Sequence, residues 1–563
     1  MRVLCVAEKP SVAKSIAGIL SGGQYQSRNT SVGWIKNMDF SYQLRPGAPY
    51  VDFTVTAVAG HLTSSDFTEQ HRKWNSCDPF ELFDAPIRIF TSTDNNMPGI
   101  ERNLLNEARR ADELMIWTDC DREGEHIGME VANVCRRAKP NIKVTRARFS
   151  AIIAAQIHNA ARNTVPLDMN QARAVEARMD LDLRTGAALT RMQTMKLQRA
   201  FPGTLENVIS YGSCQFPTLG FVVERYNEVQ NFVSEPFWYI HVALERDDFN
   251  VSFKWRRNHL FDHQAVLVLF EQCVLQPEAT VVNVETKPAS KWKPLPLTTV
   301  ELQKNGSRLL RLPPKKVLEA AEALYHKGLV SYPRTETDQF DPKFNFHELI
   351  ERQRQDGSWG QFASMLLDNG GYERPRNGRK NDKAHPPIHP VQHANNLQGD
   401  EKRVYEYITR RYLAMCSKNA TGAKTEVDIV IAEEGFRASG LTVHQRNYLE
   451  VFPYDKWEGM HIPAFRVNER FVPSVCEMKE GRTTAPSLLT EADLVSLMDK
   501  NGIGTDATIA EHISKIIDRE YAMRQKMNGK DYLVPSTLGI GLVEGYNRIG
   551  LDKSLSKPHL RAE

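Results

Sequence analysis

Short apolar runs and amphipathic stripes alternate through the first 160 residues. Residues 3–7 (Val-Leu-Cys-Val-Ala) are apolar throughout, end in Glu8 and Lys9, and give way at Pro10 and Ser11 to a helical pattern. Residues 114–117 (Leu-Met-Ile-Trp) repeat that arrangement. They run into Thr-Asp-Cys-Asp-Arg-Glu-Gly-Glu at 118–125, and helical periodicity covers 124–136. With a further stripe at 100–110, the alternation predicts an α/β sheet domain over 1–160. Residues 161–228 read as helical, with arginine- and alanine-rich stretches at 172–184 and 186–198. Alternating β-type runs occupy 236–285, as in Phe-Trp-Tyr-Ile-His-Val-Ala-Leu at 237–244, and the same texture returns at 425–455. These predict one β-rich domain built from 229–293 and 398–468, with 294–397 inserted between its halves. Residues 469–563 complete the helical part.

Within the insertion, a helix at 314–327 carries Val317, Ala320, Ala321, Leu324 and Tyr325 on one side, and Gly328 stops it. Pro333 cannot donate a ladder hydrogen bond, so Tyr332 falls on a defined turn at the end of regular structure. The prolines of 287–296 predict an extended connector, and 369–383 a polar surface loop. Residues 556–563 read as the first turns of a helix.

Composition narrows the class without deciding it. A chain of 563 residues that is 41% hydrophobic holds several cores. A net charge of +3 gives no global argument for nucleic acid, so any nucleic-acid path rests on local clusters such as Lys254-Trp255-Arg256-Arg257 and Lys291-Trp292-Lys293. The eight cysteines are scattered, with no Cys-x-x-Cys pair, which points away from a zinc ribbon or a disulfide framework and toward a reducing compartment. No apolar run approaches a membrane span, and the immediate entry into a strand leaves no room for a targeting leader.

The chemistry concentrates in two places. Tyr332 followed by Arg334 pairs a phenol that can attack phosphorus with a guanidinium that can hold phosphoryl oxygens. Glu8 and the acidic loop after residue 117 lie at strand ends, where α/β sheets place functional groups. Asp119 and Asp121 alternate by two and so point the same way. Converging carboxylates suit a hard cation, and Mg2+ is the usual one with phosphate substrates. His385 and His389 are four apart, but Pro386 and Pro387 forbid a helix between them, which argues against zinc. The turn Gly502-Ile503-Gly504-Thr505-Asp506 could offer backbone N–H groups to a phosphate, although Asp506 also reads as a helix N-cap. No Gly-x-x-x-x-Gly-Lys-[Ser/Thr] phosphate loop is present, consistent with chemistry that needs no ATP.

Taken together, these stretches resemble the type IA DNA topoisomerases, in particular the eukaryotic topoisomerase III group. Ala7-Glu8-Lys9-Pro10 and residues 117–125 resemble the two Toprim signatures, and 328–336 (Gly-Leu-Val-Ser-Tyr-Pro-Arg-Thr-Glu) resembles the active-site tyrosine segment. Gly60-His61, residues 210–220, residues 384–390 and residues 502–508 follow in family order. His126 is a departure, standing where asparagine or another residue is expected.

The resemblance implies a Toprim (Rossmann-like) domain, helical domains and a β-rich hinge arranged as a toroid. It implies strand cleavage through a 5′-phosphotyrosine at Tyr332, with Arg334, Glu8, Lys9 and His385 in the catalytic group. Asp119, Asp121, Glu123 and Glu8 would hold Mg2+. His61, Arg178, Arg184, Gln215, Thr505 and Thr508 would touch DNA. Single-stranded, negatively supercoiled or catenated DNA would be the substrate. A RecQ-family helicase and an OB-fold protein would be partners in dissolving recombination intermediates in the nucleus, and the resemblance also implies further sequence after residue 563. The rival readings are a Toprim nuclease or primase, which has no use for Tyr332 and Arg334, and a non-catalytic nucleic-acid scaffold, which leaves the acids unexplained.

Overall fold

A computed structural model describes residues 1–93, 96–246, 249–506, 508–551 and 553–562. Ala507 and Glu563, within two of the stretches singled out above, lie outside the described residues.

The N-terminal sheet is built from β1 (Arg2–Ala7), β2 (Gln26–Asn29), β3 (Lys36–Tyr42) and β4 (Val51–Ala57), followed by β7 (Glu113–Trp117) and β8 (Lys143–Arg146). Between these lies a separate hairpin of β5 (Thr63–Phe67) and β6 (Ile87–Thr91). The sheet order is β2-β3-β4-β1-β7-β8. β4, β1, β7 and β8 run parallel, and β2 and β3 form an antiparallel edge. Helices Pro10–Leu20, Met97–Ala108 and Arg122–Ala138 belong to this unit. β7 is buried along its whole length, as is β1 after its first residue, which explains why both read as unbroken apolar runs. Because Ala7 pairs with both Ala57 and Trp117, the carboxyl ends of β4, β1 and β7 finish side by side.

The second sheet has seven strands: β9 (Pro236–Arg246), β10 (Phe249–Trp255), β11 (Ala279–Lys291), β12 (Ala420–Ile431), β13 (Glu434–Gln445), β14 (Arg470–Phe471) and β15 (Val475–Arg482). Its order is β14-β11-β12-β13-β10-β9-β15, so both β-rich stretches of the chain share it.

Several expectations need correction here. The expected end of this unit at 468 falls short, because β14 and β15 lie beyond it. Its expected restart at 398 falls early: helix Gly399–Met415 contributes Val404, Tyr405, Tyr407, Ile408 and Tyr412 to the core that holds Val317 and Leu324 of the tyrosine-bearing segment. Residues 263–275 form a helix rather than β structure, with Asp262 capping it by accepting the Ala265 N–H. The proposed connector at 287–296 begins inside β11, where Pro288 pairs opposite Ala423. β14 pairs only with Ala279 and Thr280, so Pro288 lies where its missing N–H leaves no ladder partner wanting. The two arginine-rich stretches are one helix, Met169–Ala200; a single Gly186 costs about 1 kcal/mol, too little to break 32 residues.

The helix expected at 314–327 is Pro314–His326. It buries the five side chains expected of it, and Gly328 ends it at a φ of 71°.

Candidate active site

The register of β1 against β7 brings the two acid segments together. Glu8, one residue past β1, accepts the backbone N–H of Asp119, one residue past Thr118, at 3.2 Å. The acidic loop is then held from below by Arg146, whose side chain is fully buried. That guanidinium donates to the carbonyls of Thr118 (2.8 Å) and Asp119 (2.7 Å) and pairs with Glu125 at 3.1 Å. Gly124 lets the next helix start against the loop, since a Cβ there would overlap the Asp119 carbonyl. Asp121 caps that helix, accepting the Gly124 N–H at 2.7 Å. The alternation anticipated for the loop is present. Cys120 turns inward and accepts the Phe149 N–H, while Asp119 and Asp121 face the tyrosine-bearing segment.

Tyr332 meets them from the other side. Its hydroxyl donates a short hydrogen bond to Asp121, its N–H donates to the Ser150 carbonyl at 2.8 Å, and it is only 3% exposed. Tyr325, seven residues earlier on the preceding helix, donates to Asp119 at 3.2 Å. Its place on an apolar stripe gave no sign of this second role. The His385 ring lies 4.5 Å from that of Tyr332, and its Nε2–H donates to the Cys120 carbonyl at 2.8 Å. That bond fixes the tautomer: Nδ1 keeps its lone pair and has no partner among the described residues. Burial holds His385 below its usual pKa, and so neutral. Arg334 is held by Glu322 at 2.5 Å.

Electrostatically, the site is rich in ionisable groups and buried. Burial, then repulsion from Asp121, raises Glu8, with Lys9 and Arg334 opposing. Burial and Glu8 push Asp119 up to about 8 against the pull of Lys9. Burial and the neighbouring aspartates raise Tyr332 well above the ordinary phenol value, and Arg334 only partly offsets them. Carboxylates that ionise reluctantly for want of a countercharge are a donor set that fits a hard divalent cation. They are not preassembled around one: Asp119 and Asp121 are each engaged by a tyrosine, and the described group drawn closest as possible ligands is His61, His126 and Glu130.

Glu123 does not join the other acids. Its carboxylate binds His61 at 3.2 Å and Arg178 at 2.6 Å. Burial works against its ionisation, but His61 and Arg178 prevail and bring it down to about 2. Arg178 and His61 are therefore tied to the N-terminal domain. Arg184 is a structural clamp, pairing with Asp180 and donating to the carbonyls of Phe83 (2.8 Å) and Ala85 (2.9 Å). Gln215 is buried and bonded to Arg519. Thr505 and Thr508 bond each other, the Thr505 N–H donating to Thr508 Oγ1 at 2.9 Å. Thr508, not Asp506, occupies the position before helix Ile509–Asp518. The aromatic–basic clusters are likewise engaged. Trp255 and Arg257 both bind Glu434, and Lys293 is buried among carbonyls.

Comparison with known proteins places the chain. The solved full-length topoisomerase I from Thermotoga maritima shares the fold, with a TM-score of 0.74 at 22% identity over 99% of this chain and 84% of that one. This is the type IA topoisomerase architecture. Residues 166–563 match the family model described as DNA topoisomerase, and residues 3–152 match the Toprim domain, a module that typically binds metal. The chain belongs to the DNA topoisomerase family, as a type I enzyme. It is 48% identical to DNA topoisomerase 3 of Schizosaccharomyces pombe over all of this chain and 91% of that protein. It is 50% identical to human DNA topoisomerase 3-alpha, of whose length it spans 55%. No described helix is long and apolar enough to cross a membrane.

Proposed function

We propose that Tyr332 is the nucleophile of an ATP-independent strand-passage reaction on DNA. The observation that carries this is the Tyr332 hydroxyl bonded to Asp121, at a junction where Glu8, Asp119 and Arg334 also meet. In the cleavage step the Tyr332 oxygen forms a bond to phosphorus, and the bond from phosphorus to the 3′ oxygen breaks. Glu8, whose burial favours the protonated form, gives its proton to the departing 3′ oxygen and takes it back on resealing. The hydroxyl proton of Tyr332 passes to Asp121, its present acceptor. Arg334 holds the phosphoryl oxygens after leaving Glu322, and the free Nδ1 of neutral His385 accepts a hydrogen bond from the incoming strand. Lys9 supplies positive charge beside Glu8 and Asp119.

Asp119, Asp121 and Glu8 would hold Mg2+, which when bound neutralises phosphate charge and positions DNA for resealing. Negatively supercoiled and catenated DNA are the proposed substrates. By family resemblance, a RecQ-type helicase and an OB-fold protein are the proposed partners, in the nucleus.

A labelled single-stranded oligonucleotide, incubated with enzyme and run on a denaturing gel, tests the reading. The wild type leaves a protein-linked 5′ phosphate, and Tyr332→Phe leaves none. A free 5′ phosphate from both would favour a nuclease; no scission by either at any Mg2+ concentration would favour a scaffold.

A further inference from the structure

We infer that His61, His126 and Glu130 form a zinc site in the N-terminal domain, separate from the acids at the strand ends. His126 and Glu130 are four residues apart on helix Arg122–Ala138 and so share one of its faces, and His61 comes from the loop that follows β4. The Nδ1 atoms of His61 and His126 are 3.3 Å apart. His61 Nδ1 is 3.4 Å from Glu130 Oε2, and His126 Nδ1 is 3.8 Å from Glu130 Oε1. Zinc bonds of about 2.0–2.1 Å in a tetrahedral shell put neighbouring ligand atoms about 3.3 Å apart, so these three are close to the required spacing before any metal enters.

The surroundings are those of a metal site as well. On the far edge of its ring, His61 donates Nε2–H to Glu123 at 3.2 Å, which leaves Nδ1 turned toward the other two ligands. Arg178 fixes that carboxylate at 2.6 Å. A carboxylate holding the outer nitrogen of a histidine is the usual support for histidine metal ligands, because it sets the tautomer and strengthens the donor. This gives Glu123 a role that fits its position better than membership of the Asp119 and Asp121 set. Glu130 is anchored by the Leu62 N–H (2.9 Å) and the Thr63 hydroxyl, one to each oxygen, and each oxygen keeps a lone pair. His126 and Glu130 are about 5% and 4% exposed, while His61 is half-buried and provides the way in. Two imidazoles and one carboxylate suit zinc, with water completing the shell. The site would tie the loop after β4 to the helix whose first residues follow Asp121.

Zinc content measured by plasma mass spectrometry, on full-length protein purified without chelator and titrated with zinc sulfate, tests this. We expect about one zinc per chain. His126→Asn and His61→Asn should each weaken it at least about tenfold, while Asp119→Asn with Asp121→Asn retains it. Zinc lost with the aspartates and kept in the histidine variants would overturn the assignment, as would no zinc in the wild type. X-ray absorption at the zinc edge of the wild type needs no variant to fold. Scattering from two imidazoles supports the site; one, none or a sulfur neighbour refutes it. Cleavage activity is not a readout here, so failure of the strand-passage reading leaves this result untouched.

Discussion

Asp119 carries an uncomfortable charge, and that discomfort is measurable. Its carboxyl is pushed up to about 8 by burial and by Glu8. Between the usual aspartate value near about 4 and about 8, the unfolded chain has released a proton that the folded chain still holds, so stability falls as pH rises through that window. Asp119→Asn removes the penalty. In metal-free protein it should raise Tm more at about pH 8 than at about pH 4, by calorimetry; an equal shift at both would show that Asp119 is ionised without strain. Residues of this kind were legible from sequence because acids at strand ends have few uses. Glu123, Arg184 and Gln215 were not, because their partners (Arg178, the carbonyls at 83 and 85, and Arg519) come from segments that only the fold brings near. Two of the three members of the His61 cluster could have been seen in the four-residue spacing of His126 and Glu130, but nothing in the chain announces His61 as their neighbour.

At the scale of elements, the tyrosine is positioned by close helix packing. Helix Thr299–Leu310 meets helix Pro314–His326 at Gly306, where a Cβ would come 2.7 Å from both methyls of Val317. The second helix carries Tyr325 and, through Gly328, aims the turn with Tyr332. Gly306→Ala should cost about 1–3 kcal/mol by overpacking and lower cleavage, and adding Val317→Ala should restore most of the stability in a denaturant titration. Simple additivity of the two losses would mean that they do not share this contact. Helix and strand periods gave the two short apolar strands β1 and β7 and the helix at 314–327. They missed helix His263–Leu275, whose apolar run and β-like neighbours pointed to a strand and whose decisive signal is the Asp262 cap. They also cut helix Met169–Ala200 at a glycine that the helix absorbs.

For the molecule as a whole, nucleophile and acids lie on segments far apart in sequence that meet in one closed junction. Among the described residues four hydrogen bonds cross it: Tyr332 O–H to Asp121, Tyr332 N–H to Ser150, Tyr325 to Asp119 and His385 to Cys120. At about 0.5–1.5 kcal/mol each, they hold the closed state by about 2–6 kcal/mol, an amount that DNA binding can offset. Amide exchange should therefore report a lower opening energy at Tyr332 than in β1, and single-stranded DNA should change exchange at Tyr332 without changing it in β1. Matching protection in both places would mean that the junction opens only by global unfolding. The most direct test of the central claim is mass spectrometry of the protease-digested covalent complex with a short oligonucleotide. The account predicts a nucleotide joined through its 5′ phosphate to the peptide bearing Tyr332. Attachment at any other residue, or no attached nucleotide when the strand has been cut, would contradict it.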